Sequence, residues 1–122
     1  MTFGKQAGEY SFKSTSATIT PGPAGSVLSQ VNFEGTATGF GAVIGTATFV
    51  GGKSGTFSWC AQGYPDNADS VTGIGQGTFE SVARNKWSTS VISQISDGRA
   101  VGAKGEIDLA TRSWTGTLYE VS

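Results

Sequence analysis

A chain of 122 residues with a formal net charge of -1 makes one domain, long enough to bury roughly two thirds of the surface its unfolded form exposes. It has no histidine and one cysteine, Cys60, which excludes imidazole metal sites, histidine acid/base chemistry, the usual nucleophilic triads and an internal disulfide. With Lys+Arg 8 against Asp+Glu 9 and no basic cluster, nucleic acid is not an expected partner, and no apolar run is long enough for a membrane helix.

Glu9 to Ile19 alternates with a period of two and is rich in β-formers, so it reads as a first strand. Thr20-Pro-Gly-Pro-Ala-Gly25 then turns the chain, because proline cannot donate to a ladder. Val27 to Thr38 is a second strand, with Val27, Val31, Phe33 and Ala37 on one side and Leu28, Gln30, Asn32 and Glu34 on the other. Gly39-Phe-Gly41 breaks it. Ala42 to Val50 and Gly55 to Gln62 form a hairpin about Gly51-Gly-Lys-Ser54, with Phe57 and Trp59 on one face and Ser58 and Cys60 on the other. Gly63 to Ser70 is polar and aperiodic, a loop.

From Thr72 to Ser122 the sequence reads as four more strands, turned at Arg84-Asn85, Asp97-Gly98 and Leu109 to Arg112. Asp-Gly is the preferred pair for a two-residue type I′ hairpin loop. Closing it between Ser96 and Arg99 sets Ile92 opposite Ala103, Gln94 opposite Val101, Ser90 opposite Gly105 and Thr89 opposite Glu106. One face then carries Phe79, Ile92, Val101, Ala103, Ile107, Trp114 and Leu118 with small neighbours that include Ser88, Ser90, Gln94, Gly105 and Gly116, and is taken as buried.

No window shows a capped helical repeat. Eight strands joined by local turns avoid open edges most simply by closing on themselves, so the expected fold is all-β, an eight-stranded antiparallel up-and-down barrel of calycin-like form. A two-sheet sandwich is the competing arrangement.

The expected interior sets glycine, alanine and serine beside Phe79, Ile92, Trp114 and Leu118, which would leave a cavity unless these groups simply interdigitate in a tapered core. Trp59 and Trp114 would wall it, and Ser88, Ser90 and Gln94 would supply hydrogen bonds. Glu80, Thr89, Glu106 and Thr115 form a row on the opposite face. That row is ordinary surface polarity, or an acid/base site if the faces are reversed. Glu34 is a further carboxylate that would matter if it turned inward. Asp66, Asn67 and Asp69 lack the EF-hand spacing, and no helix follows Gly73-Ile-Gly-Gln-Gly77 to hold phosphate, so neither metal nor cofactor is expected. Cys60 reads as a small buried residue.

Phe49-Val-Gly-Gly-Lys-Ser-Gly-Thr-Phe57, Thr72-Gly-Ile-Gly-Gln-Gly-Thr-Phe79 and the eight-strand order resemble the barrels of the allene oxide cyclase-like superfamily and, more remotely, dirigent proteins. The resemblance implies a barrel that accepts a small apolar molecule and steers its cyclisation or coupling, often within an oligomer.

The expectation is therefore a cofactor-free isomerase or cyclase, with Glu34, Gln94 and Glu106 as candidate catalytic residues and Trp59, Phe79, Ser90, Ile92, Trp114 and Leu118 lining the ligand. A lipocalin-like carrier and a structural oligomerisation domain are the alternatives. An apolar cavity with an inward carboxylate would favour the enzyme; one without ionisable groups would favour the carrier. The first residues lack the apolar core of a secretory signal, so a whole chain of this kind is expected to be cytoplasmic. At 14% charged residues, part of its surface is expected to be covered by another copy in a homo-oligomer.

Overall fold

The computed structural model describes residues 2–122. Eight strands form an antiparallel up-and-down barrel: β1 (Phe3–Pro21), β2 (Val27–Ala37), β3 (Gly41–Gly51), β4 (Ser54–Tyr64), β5 (Val71–Ala83), β6 (Lys86–Ile95), β7 (Ala100–Asp108) and β8 (Ser113–Val121). Each pairs with its neighbours in sequence, and β8 returns to β1 to close the cylinder. Closure satisfies edges that eight separate strands would leave open. One short 3-10 turn, Pro23–Gly25, lies between β1 and β2.

Alternation along each strand sorts side chains inward or outward. β4 shows the rule: Phe57, Trp59 and Ala61 are buried, while Cys60 and Gln62 are exposed. Elsewhere the outer face is largely threonine, serine, glutamine and charge, as in Thr36, Thr72, Gln76, Glu106 and Thr115. A lipid-facing barrel needs an apolar outer band instead. None of the helical residues forms a segment long and apolar enough to cross a membrane.

The middle of the barrel is filled by aromatic rings. Trp114, 1% exposed, packs with its ring centroid within 5.0 to 5.8 Å of Phe33, Trp59, Tyr10, Phe12 and Phe57. Glycines on neighbouring strands make the room. A β-carbon at Gly45 would lie 2.7 Å from the Trp59 ring, one at Gly77 2.7 Å from Phe57, and one at Gly35 2.9 Å from Phe12. Of the small residues expected to leave a central cavity, Gly105 and Gly116 are likewise filled, by Tyr10, which is the interdigitated alternative. Space survives only above and below this plug.

Two local departures shift the expected register, and they cancel. The β6–β7 loop holds three residues rather than two: Ile95 N–H donates to Arg99 O at 2.8 Å, Gly98 N–H donates to Ile95 O at 2.9 Å, and Gly98 takes the positive φ of 98. Asp97 instead accepts the Arg99 backbone N–H at 3.1 Å and its guanidinium at 2.8 Å, bonds that suit the three-residue loop with glycine in the left-handed position. Ser88 therefore faces Glu106, and Val91 faces Ala103. A bulge between Ser81 and Ala83 offsets the β5–β6 ladder by one as well. The consequence falls on β6 alone, which is inverted: Thr89, Val91 and Ser93 are buried, and Ser88, Ser90, Ile92 and Gln94 face out. Phe79, Ala103, Trp114 and Leu118 keep the expected inward direction.

Candidate ligand-binding site

The aromatic plug divides the interior into two cavities. The upper one lies toward the chain termini and is about 70 Å³, lined by Tyr10, Phe40, Trp59, Val91, Trp114 and Leu118 among others. That is room for only a few waters, at no less than about 10–15 Å³ each. The lower one is about 580 Å³ and opens at the end that carries the β1–β2, β3–β4, β5–β6 and β7–β8 turns. That volume falls in the usual range for small-molecule sites, roughly 300–1,000 Å³.

Unequal strand lengths create the lower cavity. β1 pairs with β8 only as far as Lys13 opposite Ser113, yet it continues against β2 to Pro21 opposite Val27. The β1–β2 hairpin therefore overhangs the rim formed by β7 and β8. A bulge between Ser14 and Ser16 re-aims the overhang so that Ala17 and Ile19 line the space. Phe33, Phe49, Phe79, Trp87 and Ile107 supply its apolar wall, and the mouth lies between this hairpin and the β7–β8 loop with Asp108, Leu109 and Arg112. Ile19 is left 60% exposed, as expected of an apolar side chain at an open cavity rather than in a core.

The residues expected from the sequence divide accordingly. Phe79 lines the lower cavity, and Trp59, Trp114 and Leu118 line the upper one as part of the plug. Ser90 and Ile92 face outward because β6 is inverted, and line neither cavity. The three proposed catalytic side chains are also outside. Glu34 is exposed on the outward face of β2, Gln94 is exposed on β6, and Glu106 is exposed on β7 with Lys86 4.0 Å away. Glu80 and Glu106 flank Ser88 across three neighbouring strands on the outer face, so their row is ordinary surface polarity. Cys60 is exposed rather than buried, because it alternates with Trp59. Among the described residues no group of His, Cys, Asp or Glu could hold a metal ion.

Sequence reasoning missed most of the lower cavity. Ala17, Ile19, Val31, Phe49 and Trp87 fall within the expected strands but outside the expected ligand-lining set. Expected strand length gives no signal, because Glu9 to Ile19 is about as long as the segment after Arg112; the overhang appears because β1 runs from Phe3 to Pro21 while β8 spans only Ser113–Val121.

One polar group is held inside the plug. The Trp114 indole donates to Thr89 Oγ1 at 3.0 Å. The adjoining Tyr10 hydroxyl fits against Gly105 and Gly116, where a side chain would collide with it, and it has no hydrogen-bond partner among the described residues. Burial pushes the Tyr10 phenol up to about 12, against a smaller lowering by the neighbouring Thr89 hydroxyl and Trp114 indole.

A phenol raised from 10.0 to about 12 keeps its proton in the folded state after the unfolded chain has lost it. The associated stability is complete below pH 10 and is lost as pH rises through about 12, roughly 2–3 kcal/mol in all. Tyr10→Phe is expected to flatten that alkaline loss. Subtracting its phenolate absorbance curve from that of the native chain should isolate a late-titrating group; a difference curve centred near the ordinary tyrosine value contradicts the burial argument.

No family model, curated protein or solved structure matches this chain.

Proposed function

We propose that this chain is a binding barrel for a small apolar molecule, held in the lower cavity without a catalytic step. The observation that carries this reading is an open, aromatic-lined space of about 580 Å³ whose deep wall is mainly apolar, with Ser14 beside Phe33 as a polar group. Apolar surface left facing water at such a mouth favours any ligand that covers it, by about 25 cal/mol for each Å² removed from water. A binding barrel needs no more than this.

The isomerase or cyclase reading has less support. Of the ionisable side chains among the described residues, only Tyr10, Asp108 and Arg112 line either cavity, and Tyr10 sits at the small upper one. Glu34, Gln94 and Glu106 reach neither space. Glycine-rich likeness to allene oxide cyclase-like barrels supports a shared architecture, and shared architecture does not carry chemistry with it.

The test is a fluorescence titration with phenylnaphthylamine, a neutral aromatic probe that brightens in apolar surroundings. Saturable binding of one probe per chain is the expected result. Fluorescence that rises without saturation, or not at all, refutes the reading.

A further inference from the structure

We propose that the ligand of the lower cavity is a ring-containing molecule bearing one anionic group, and that Arg112 is the residue that selects for the anion. This rests on the reading of that cavity as a binding site, and it goes beyond it in naming the charge the ligand carries.

Three independent observations meet at Arg112. The first is position: its side chain lies at the mouth, opposite the overhanging β1–β2 hairpin, while the walls below are the rings of Phe33, Phe49, Phe79 and Trp87. A planar apolar body fits those rings, and a polar end must then sit at the mouth. The second is an unpaired charge. Among the described residues the only ion pairs are Lys86 with Glu106 and Arg99 with Asp97, so the Arg112 guanidinium has no carboxylate partner. Asp108, the one acid at the mouth, turns into its own loop and accepts the Ala110 N–H at 3.0 Å.

The third is backbone conformation. Arg112 has φ 56, a left-handed setting that costs a non-glycine residue roughly 1–2 kcal/mol. Two cross-links keep it there: Ser14 N–H donates to Arg112 O at 2.9 Å, and Lys13 Nζ donates to Thr111 O at 3.3 Å. Glycine or asparagine would take this conformation at lower cost, yet the chain places its longest cation there. Arginine offers a planar fork of donors suited to carboxylate, sulfonate or phosphate.

The distribution of charge along the barrel agrees. Lys13, Lys53, Arg84, Lys86 and Arg112 lie at the cavity end, against Glu34, which faces Lys13 across the β1–β2 ladder, and Glu80, Glu106 and Asp108. Asp66, Asp69 and Asp97 lie in the turns of the other end, with Arg99. A chain of net charge -1 thus presents a locally positive mouth, which raises the local concentration of an anion.

The experiment compares two probes with the same aromatic body, anilinonaphthalene sulfonate and neutral phenylnaphthylamine, on the native chain, Arg112→Asn, Arg112→Lys and Lys53→Ala. Asparagine tolerates the left-handed backbone, so the loop keeps its shape when the charge goes. The sulfonate is expected to bind the native chain about tenfold tighter than the neutral probe. Arg112→Asn should abolish that preference and leave the neutral probe unchanged, Arg112→Lys should restore part of it, and Lys53→Ala, which changes the field at the mouth without lining the cavity, should lower it by less than about twofold. A preference that survives Arg112→Asn, that Lys53→Ala removes equally, or that is absent from the native chain overturns the proposal. Failure of both probes to bind the native chain instead defeats the reading of the cavity as a ligand site.

Discussion

The Trp114→Ala variant is expected to lose about 3–5 kcal/mol of stability in denaturant unfolding, the cost usual for deleting a fully buried large aromatic side chain. Two reasons place it at the upper end. Trp114 meets five other rings, so its removal opens a gap that no single neighbour can fill. Its indole also satisfies Thr89, and alanine would leave that hydroxyl buried beside the already unpartnered Tyr10. Trp114→Phe separates the two contributions, since a ring is kept and the donor is lost; about 1–3 kcal/mol is expected there. A domain of this size has a total stability of about 5–15 kcal/mol, so the alanine variant approaches the threshold for folding. A loss under about 1 kcal/mol for Trp114→Ala would mean that the plug does not hold the barrel together.

The same plug explains what could be read from the residues and what could not. The strand count, antiparallel order and closure follow from alternation and turns, which are local properties. The inward direction of Phe57, Trp59, Phe79, Trp114 and Leu118 follows from the same parity. Parity fails where one residue is added silently. Nothing in Glu80-Ser-Val-Ala83 announces a bulge, and Asp97-Gly98 suits either a two-residue loop or the last two places of a three-residue one. Each of those errors turns a strand over, so Ile92, Ser90 and Gln94 were lost together, whereas β7 and β8 were recovered because the second error undid the first. Glu34 faces out because it alternates with Phe33, which is buried on the inner face of β2.

The cavity was harder to see because it belongs to no single strand. It exists where β1 outruns β8, a relation between segments about a hundred residues apart in the chain. Small residues opposite large ones mark where rings are seated in this barrel, as Gly45 does for Trp59 and Gly77 for Phe57. Reading smallness as emptiness therefore pointed to the one region that is full. Arg112 lay in the expected Leu109 to Arg112 turn, but its left-handed backbone is a property of the folded loop.

Filling the lower cavity is expected to abolish ligand binding while leaving the fold intact. Ala17 lies past the bulge of β1, is exposed at the cavity wall, and touches neither the plug nor the β1–β8 ladder, which ends at Lys13. An indole at Ala17→Trp would lie against Phe49, Phe79 and Trp87 and occupy the space proposed for the ligand. Because it covers apolar wall that now faces water, stability should hold or rise by about 1 kcal/mol. Affinity for the neutral probe should fall by a factor of about a hundred or more, since the probe would have to displace a tethered ring at high effective concentration. Ile44→Trp is the matched control: position 44 faces outward on β3 and is 49% exposed, so the same indole there adds apolar surface without entering the interior. Binding that is lost in both variants would assign the probe to the outer wall, and binding that survives Ala17→Trp would place it elsewhere in the barrel.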